Sequence, residues 1–167
     1  MSKNNFVIAV YVENKYGVLT RVTSMFTRRG FNIDTLTVGE TESPEYSRIT
    51  ISLSGDRTDR MQLVSQLTKL YNVKKVEVLS NEEAIKRELL LIKVKNDLDN
   101  RAQIMDAVNV FKAKTVDYSS QAMCFEVTGD SNKIDAFIDN MKPFGIIEMC
   151  RTGIVALERG PDSILSE

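Results

Sequence analysis

The chain has 167 residues and a formal net charge of −1, with 22 basic and 23 acidic side chains and no histidine. This balance gives no electrostatic reason to expect a nucleic-acid or membrane partner, and the lack of histidine removes the usual general base and the commonest metal ligand. No apolar run is long enough to span a bilayer and no signal peptide is recognisable, so we expect a cytoplasmic protein without a catalytic centre.

The N-terminal part begins with an apolar strand, a short turn and an amphipathic helix. Residues 6–12 are apolar on both faces, which is typical of a central strand covered on both sides. Val18, Val22 and Phe26 then recur at the spacing of one helix face. Gly30 is expected to stop that helix, as glycine does at the left-handed position after a last turn.

The next elements are predicted to be a hairpin, a second helix and a fourth strand. Residues 32–40 and 46–54 have the pattern of two strands joined by a turn. Asp56 or Thr58 is placed to cap the helix that follows. With an apolar strand at residues 73–78, the order becomes βαββαβ.

A polar stretch at residues 80–83 is the best candidate linker, and the same order of elements then begins again. An apolar strand at residues 89–94 opens the second half. Asp130 or Ser131 can cap its last helix, and Pro143 forbids that helix to continue.

These patterns predict an α+β fold of two tandem ferredoxin-like domains, residues 1–79 and residues 80–167. In that fold the strands of each sheet lie in the order 4-1-3-2. The last residues, 159–167, are polar and include Gly160 and Pro161, and we expect them to form a short, loose tail.

Each predicted domain leaves one sheet face without helices. Because the first strand and residues 89–92 are apolar on that face too, we expect each face to pack on another sheet, from a second copy or a partner, and the protein to be at least a homodimer. Cys124 and Cys150 fall on strands that flank a central one, about 9–10 Å apart and beyond disulfide reach, so free, buried thiols are expected.

The turn before the first helix suggests a site for a small anion. The first amides of a helix lack internal partners and carry partial positive charge, and Gly17 has no side chain to keep a carboxylate from them. Asn14 and Asn32 could each add a donor and an acceptor, which suits an amino acid. The alternative is that Asn14 only shapes the turn and that Gly17 only supplies an unusual dihedral angle.

This region resembles the ACT domain of the regulatory small subunits of acetohydroxyacid synthase (acetolactate synthase). Similarity covers nearly the whole chain, and residues 47–51 match a second family motif. The residues that match the first motif are Glu13, Asn14, Gly17, Leu19, Arg21, Val22, Phe26, Arg29, Gly30, Phe31, Asn32, Ile33, Asp34, Thr35, Leu36, Thr37 and Val38.

The resemblance implies a non-catalytic regulatory subunit that binds a branched-chain amino acid, usually valine, between two ACT domains. It implies a catalytic large subunit as the partner, and that chain carries thiamine diphosphate, Mg²⁺ and FAD, while this chain carries no cofactor. The effector-binding residues that it implies are Asn14, Gly17, Val18, Leu19, Asn32 and Ile33, with Val18, Leu19 and Ile33 forming the apolar wall.

Other functions remain open on this fold. A stand-alone ACT sensor of amino acids or another ferredoxin-like binding module would have the same elements. An RNA-binding module would need stacking aromatic residues on the first and third strands, and a transcriptional regulator would need a helix-turn-helix segment; neither is present in the sequence. A phosphatase of the acylphosphatase kind would need an arginine in the loop after the first strand, where this chain has Lys15.

Overall fold

The structure, a computed structural model, describes residues 4–79, 84–161 and 163–165. The chain divides into two compact units. The first unit combines Met1–Ile85 with Ile154–Glu167, and the second is Lys86–Gly153. The linker predicted at residues 80–83 lies outside the described residues.

The predicted fold class is confirmed, because each unit contains the order βαββαβ. One further strand follows near the C-terminus. The elements are β1 (Asn4–Glu13), α1 (Val18–Arg29), β2 (Thr35–Glu40), β3 (Tyr46–Gly55), α2 (Arg57–Thr68), β4 (Val73–Leu79), β5 (Ala84–Lys95), α3 (Arg101–Phe111), β6 (Lys114–Tyr118), β7 (Ala122–Gly129), α4 (Ser131–Met141), β8 (Ile146–Arg151) and β9 (Val155–Glu158).

The sheet of the first unit has the strand order β2-β3-β1-β4, as predicted, with β2 and β4 at its edges. The strands of each pair are antiparallel, and Ile8 on β1 is in register with Ile51 on β3 and Val78 on β4. One face of this sheet packs on α1 and α2 through a hydrophobic core that includes Phe26 and Leu67. Burial of such side chains stabilises a fold by about 1.5–3 kcal/mol each.

Local signals at the helix ends behave as the sequence predicts. Gly30 follows α1 in the left-handed conformation, with φ of 72°, and its amide donates to the carbonyl oxygens of the last turn. Asp56 caps α2 and forms a reciprocal capping box with Asp59. Asp130 caps α4, which ends at Met141 before Pro143. No helix of the described ranges has both the length and the apolar content to cross a membrane.

The other face of the first sheet is covered by the chain's own C-terminal segment. Val7, Ala9 and Tyr11 are buried in a cluster with Ala156 and Ile164. The expectation that a second copy or a partner covers this face is therefore wrong for the first unit. Exposed apolar surface is unfavourable, and the chain buries it with its own residues.

The prediction of a loose C-terminal tail is wrong for the same reason. Ile164 is only 7% exposed, and the guanidinium of Arg48 donates from Nη2 to the carbonyl oxygen of Ala156 at 2.9 Å. Burial lowers the pKa of Arg48. Residues 154–167 thus belong to the first unit, whereas the sequence assigned them to the second domain.

In the second unit the strands pair in the order β6-β7-β5-β8, and α3 and α4 pack on one face. Beside this core, Glu88 on β5 is only 2% exposed. Its carboxylate accepts two hydrogen bonds from Arg151, at 2.9 and 2.7 Å, and one from the hydroxyl of Ser131. A buried charge requires such partners.

The opposite face of this sheet carries both cysteines. Cys124 on β7 is half-buried, Cys150 on β8 is exposed, and both thiols are free. The expectation of a buried thiol is therefore wrong for Cys150, because β8 is a sheet edge and its residues are mostly exposed. The prediction that the thiols are free is confirmed.

Candidate functional site

The candidate site is the start of α1, where β1 passes through a four-residue turn into the helix. The amide of Val18 donates to the carbonyl oxygen of Lys15 at 3.3 Å, and that of Arg21 donates to Gly17 at 3.1 Å. Between them, the amides of Leu19 and Thr20 have no intrahelical acceptor. No side chain caps this helix start and its first turn contains no acidic residue, so the turn can accept a negatively charged group.

Gly17 occupies the position that precedes the helix and has the left-handed backbone conformation, with φ of 78°. A Cβ atom built at this position has no heavy atom within 4 Å, so the space beside the first amides is open. Residues other than glycine rarely adopt this conformation, and glycine also leaves the amides uncovered. The geometry therefore has both features of an anion site.

Asn14 is the first residue of this turn, and its side chain forms hydrogen bonds with other parts of the same chain. Its Nδ2 atom donates to Oε1 of Glu40 at 3.2 Å and to the carbonyl oxygen of Pro44 at 3.1 Å. Asn14, Lys15 and Tyr16 line an open depression on the surface. The two hydrogen bonds fix Asn14 near the end of β2 and use only its Nδ2 atom. Its side-chain carbonyl oxygen can therefore accept a hydrogen bond from an ammonium group.

The predicted apolar wall needs a correction at Val18. Its side chain is 4% exposed and belongs to the core of the first unit, so only its backbone can face a ligand. Leu19, the next residue along the helix, is 41% exposed and can contact one. Consecutive helical residues point about 100° apart, which accounts for the difference.

Asn32 and Ile33 lie beyond the opposite end of α1. Asn32 is exposed, and Ile33 is half-buried against the core. Because α1 has twelve residues, about 18 Å separates its two ends. Within one chain, therefore, the structure brings Asn14, Gly17 and Leu19 together and leaves Asn32 and Ile33 apart from them.

A polar network that the sequence does not reveal lies next to the turn. Glu13, the last residue of β1, accepts a hydrogen bond from Nδ2 of Asn72 at 2.7 Å and ion-pairs with Lys15 and Lys74. The hydrogen bond from Asn72, followed by that from Lys15, lowers the pKa of Glu13 to about 2. Glu13 in turn raises the pKa of Lys15.

Asn72 also accepts a hydrogen bond from Nη1 of Arg21 at 2.7 Å. Arg21 and Asn72 are 51 residues apart, and no pattern in the sequence connects them. A polar residue just before an apolar strand is common in turns, so nothing marked Asn72 as special. In the described parts of the chain, no group of three or more acidic or cysteine side chains is placed to hold a metal ion.

Comparison with protein families gives two matches that together cover most of the chain. Residues 8–75 match the model of the AHAS small subunit-like ACT domain. Residues 87–160 match the model described as the small subunit of acetolactate synthase.

Whole-chain relatives agree with these matches. The chain is 44% identical over 164 residues to the acetolactate synthase small subunit of Mycobacterium bovis, with 98% of both chains covered. It is 48% identical to a probable acetolactate synthase small subunit of Archaeoglobus fulgidus, covering 92% of this chain and 96% of that one. The crystal structure of the acetolactate synthase small subunit from Thermotoga maritima aligns with a TM-score of 0.88 and 37% identity, over 95% of this chain and 99% of that chain.

Proposed function

Since this chain belongs to the family of acetolactate synthase small subunits, as its resemblance predicted, we propose that it binds a branched-chain amino acid, foremost valine, at an interface between two ACT domains. In this proposal it is the non-catalytic subunit that activates a catalytic large subunit. Valine, as the end product of the pathway, inhibits the assembled enzyme by feedback. The complex acts in branched-chain amino acid biosynthesis in the cytoplasm.

The observation that carries the proposal is the uncapped start of α1 beside Gly17. Its free amides, with the positive end of the helix dipole, suit the carboxylate of an amino acid. The side-chain carbonyl of Asn14 can accept a hydrogen bond from the ammonium group. Leu19 offers apolar contact to an aliphatic side chain.

The geometry of β2 supports a site shared by two copies. β2 is an edge strand, so its outer backbone groups can pair with a second β2. Antiparallel pairing of two copies brings the Glu40 end of one strand beside the Thr35 end of the other. Asn14 is hydrogen-bonded to Glu40, and Asn32 lies three residues before the start of β2. Asn14 and Gly17 of one copy therefore meet Asn32 and Ile33 of the other around one ligand.

A ligand held between copies can regulate because it favours one arrangement of the dimer over another. The shift cannot exceed the difference in its affinity for the two arrangements, typically about 1–3 kcal/mol. Binding is reciprocal, so attachment of the catalytic large subunit must change the affinity of this chain for valine by the same factor. Thiamine diphosphate, Mg²⁺ and FAD reside on that large subunit in this proposal, and this chain contributes regulation only.

The test combines the purified chain with its cognate large subunit and measures acetolactate formation. We expect the chain to raise the activity of the large subunit, and valine to lower the activity of the mixture more strongly than leucine or isoleucine does. Calorimetry on the chain alone measures valine binding directly. Valine binding without an effect on the large subunit would indicate a stand-alone amino-acid sensor, and no binding of any of the three amino acids would refute the effector site.

A further inference from the structure

Asn72 lies in the turn between α2 and β4, is only 8% exposed, and forms three hydrogen bonds with Glu13 and Arg21. Its carbonyl oxygen accepts the amide of Glu13 at 2.9 Å. Its Nδ2 atom donates to the Glu13 carboxylate and its Oδ1 atom accepts from the Arg21 guanidinium, both at 2.7 Å. One buried side chain therefore joins a carboxylate to a guanidinium.

These two partners lie on either side of the candidate site. Glu13 ends β1 immediately before the turn, and Arg21 is the fourth residue of α1. Asn14, Gly17 and Leu19 all fall between them in the sequence. Beside the apolar packing of α1 on the sheet, contacts through Asn72 thus link the helix start to the end of the strand.

We propose that Asn72 is a positioning residue for the effector site: it fixes the distance and angle between the end of β1 and the start of α1, and so holds the free amides of α1 in place for a ligand carboxylate. This inference rests on the proposed function. Asn72 does not contact the ligand. It acts through Glu13 and Arg21.

The chemistry of the position explains why an amide is needed. An amide side chain of this length offers a donor to the carboxylate and an acceptor to the guanidinium at once. Aspartate would accept from Arg21 but would set a second negative charge against Glu13, and leucine would leave both charged groups without this partner. Hydrogen bonds to charged groups are among the stronger ones in proteins, so the arrangement is well suited to hold a turn.

The contact between Asn72 and Glu13 can be reversed, and this reversal is the test. In Asn72→Asp the two carboxylates repel each other. In the double variant Glu13→Gln with Asn72→Asp, the new amide at position 13 donates to the new carboxylate at position 72, which still accepts from Arg21. Valine affinity is measured by calorimetry for the native chain, both single variants and the double variant, and amide hydrogen exchange is followed in residues 14–20.

We expect Asn72→Asp to weaken valine binding about tenfold or more and to speed exchange in residues 14–20, and the double variant to return to within about threefold of the native affinity. Asn100→Asp, at a helix start in the second unit, is the matched control and leaves valine affinity unchanged. A purely structural role would instead lower the thermal stability of both variants without a specific recovery of affinity in the double variant.

The outcomes separate this inference from the proposal on which it rests. If the native chain binds valine and Asn72→Asp binds it equally well, the positioning role is overturned and the effector site stands. If the native chain binds none of the branched-chain amino acids, both fail. If Asn72→Asp does not fold, the double variant decides: recovery of binding supports the role, and a folded double variant that does not bind overturns it.

Discussion

The two units share the order of elements and the order of strands, yet they differ at the first helix start. In the first unit α1 follows Gly17 and no acidic residue lies in its first turn. In the second unit α3 follows Asn100 and, like α1, has no side-chain cap and no acidic residue in its first turn. Asp97 and Asp99 precede α3, however, and the carboxylate of Asp97 accepts the amide of Asp99 and Nδ2 of Asn100. Negative charge already stands at that helix start and repels a ligand carboxylate. The fold is therefore shared, while the candidate anion site depends on a few residues in one turn.

The units also differ in what supports their sheets. The first unit covers its second sheet face with apolar residues from the C-terminal segment. In the second unit a buried ion pair, between Glu88 and Arg151, lies at the margin of the core that α3 and α4 cover. The units thus differ in the start of the first helix and in the contacts that support the sheet. Four single substitutions test this contrast.

The largest effect is expected from removing the buried carboxylate of the second unit. Glu88→Ala removes a carboxylate, 2% exposed, that accepts hydrogen bonds from Arg151 and Ser131. Hydrogen bonds to charged groups contribute about 1.5–3 kcal/mol, so we expect a loss of about 3 kcal/mol of unfolding free energy. Hydrogen exchange should accelerate in residues 86–153 and stay unchanged in residues 4–79. Asp135→Ala is the matched control, because it removes the exposed partner of the same arginine and should cost below about 1 kcal/mol. Equal losses for both variants would show that burial of Glu88 is unimportant.

The next effect concerns the helix start of the first unit. Gly17→Asp sets a negative charge beside the ligand carboxylate, and we expect calorimetry to show at least an approximately 100-fold loss of valine affinity, with assembly onto the large subunit retained. Gly17→Asn is the control, because asparagine has the same size, tolerates the left-handed conformation and carries no charge. If the two variants bound valine equally, charge at this position would not decide binding. The negative charge before α3 would then not explain why only α1 is a candidate site.

A smaller effect is expected where the C-terminal segment covers the first sheet. Ile164→Ala removes a side chain that is 7% exposed, and should lower the unfolding free energy of the first unit by about 2 kcal/mol. Leu165→Ala removes a neighbouring side chain that is 48% exposed, and should change it by less than about 0.5 kcal/mol. Urea denaturation measures the loss of unfolding free energy, and hydrogen exchange shows which residues lose protection. A loss found in residues 86–153 instead would contradict the assignment of this segment to the first unit.

The smallest effect comes from Glu77, on the same covered face. Burial, with added repulsion from Glu158, raises the pKa of Glu77. A raised carboxyl pKa means that Glu77 favours folding below the pKa of the unfolded chain, and that this contribution is lost as pH rises through the folded pKa. Glu77→Gln should therefore stabilise the protein at pH 7 by less than about 1 kcal/mol, and should not do so near pH 4.

Thermal unfolding of both chains between pH 4 and pH 7 measures this difference. Glu126→Gln, at an ion pair of the second unit, serves as the control and should not show the gain at pH 7. A melting-temperature difference between Glu77→Gln and the native chain that does not vary with pH would count against the burial of this carboxyl.

Most of the fold could be predicted from the sequence because its signals are local. Helix caps such as Asp56 and Asp130 and the stop at Gly30 depend on residues only a few positions apart. The return of Ile164 to β1 could not be predicted, because two adjacent apolar residues, Ile164 and Leu165, in a polar stretch have no periodicity to reveal a partner. The exposure of Cys150 depends on β8 being an edge strand with few covering contacts, which hydropathy alone does not indicate.

The same distinction between local signals and long-range contacts applies to the candidate site. Gly17 and Asn14 could be proposed as site residues because the features of a turn and of a helix start depend on adjacent residues. The burial of Val18 and the exposure of Leu19 depend on the exact rotation of the helix against its sheet. The bonds of Asn72 to Glu13 and Arg21 join residues 59 and 51 positions apart, and only the folded chain reveals them.

The return of residues 154–167 to the first unit has a consequence for synthesis on the ribosome. Domains usually fold in the order in which they emerge, but here the N-terminal unit waits for the last residues of the chain. Until these arrive, several seconds after residue 85 at ordinary translation rates, the apolar strip of Val7, Ala9 and Tyr11 lacks its cover. The nascent chain therefore exposes an apolar surface, to which a chaperone can bind. A bulky group fused after residue 167 would therefore disturb the first unit more than the second, although residues 86–153 of the second unit are nearer to it in sequence.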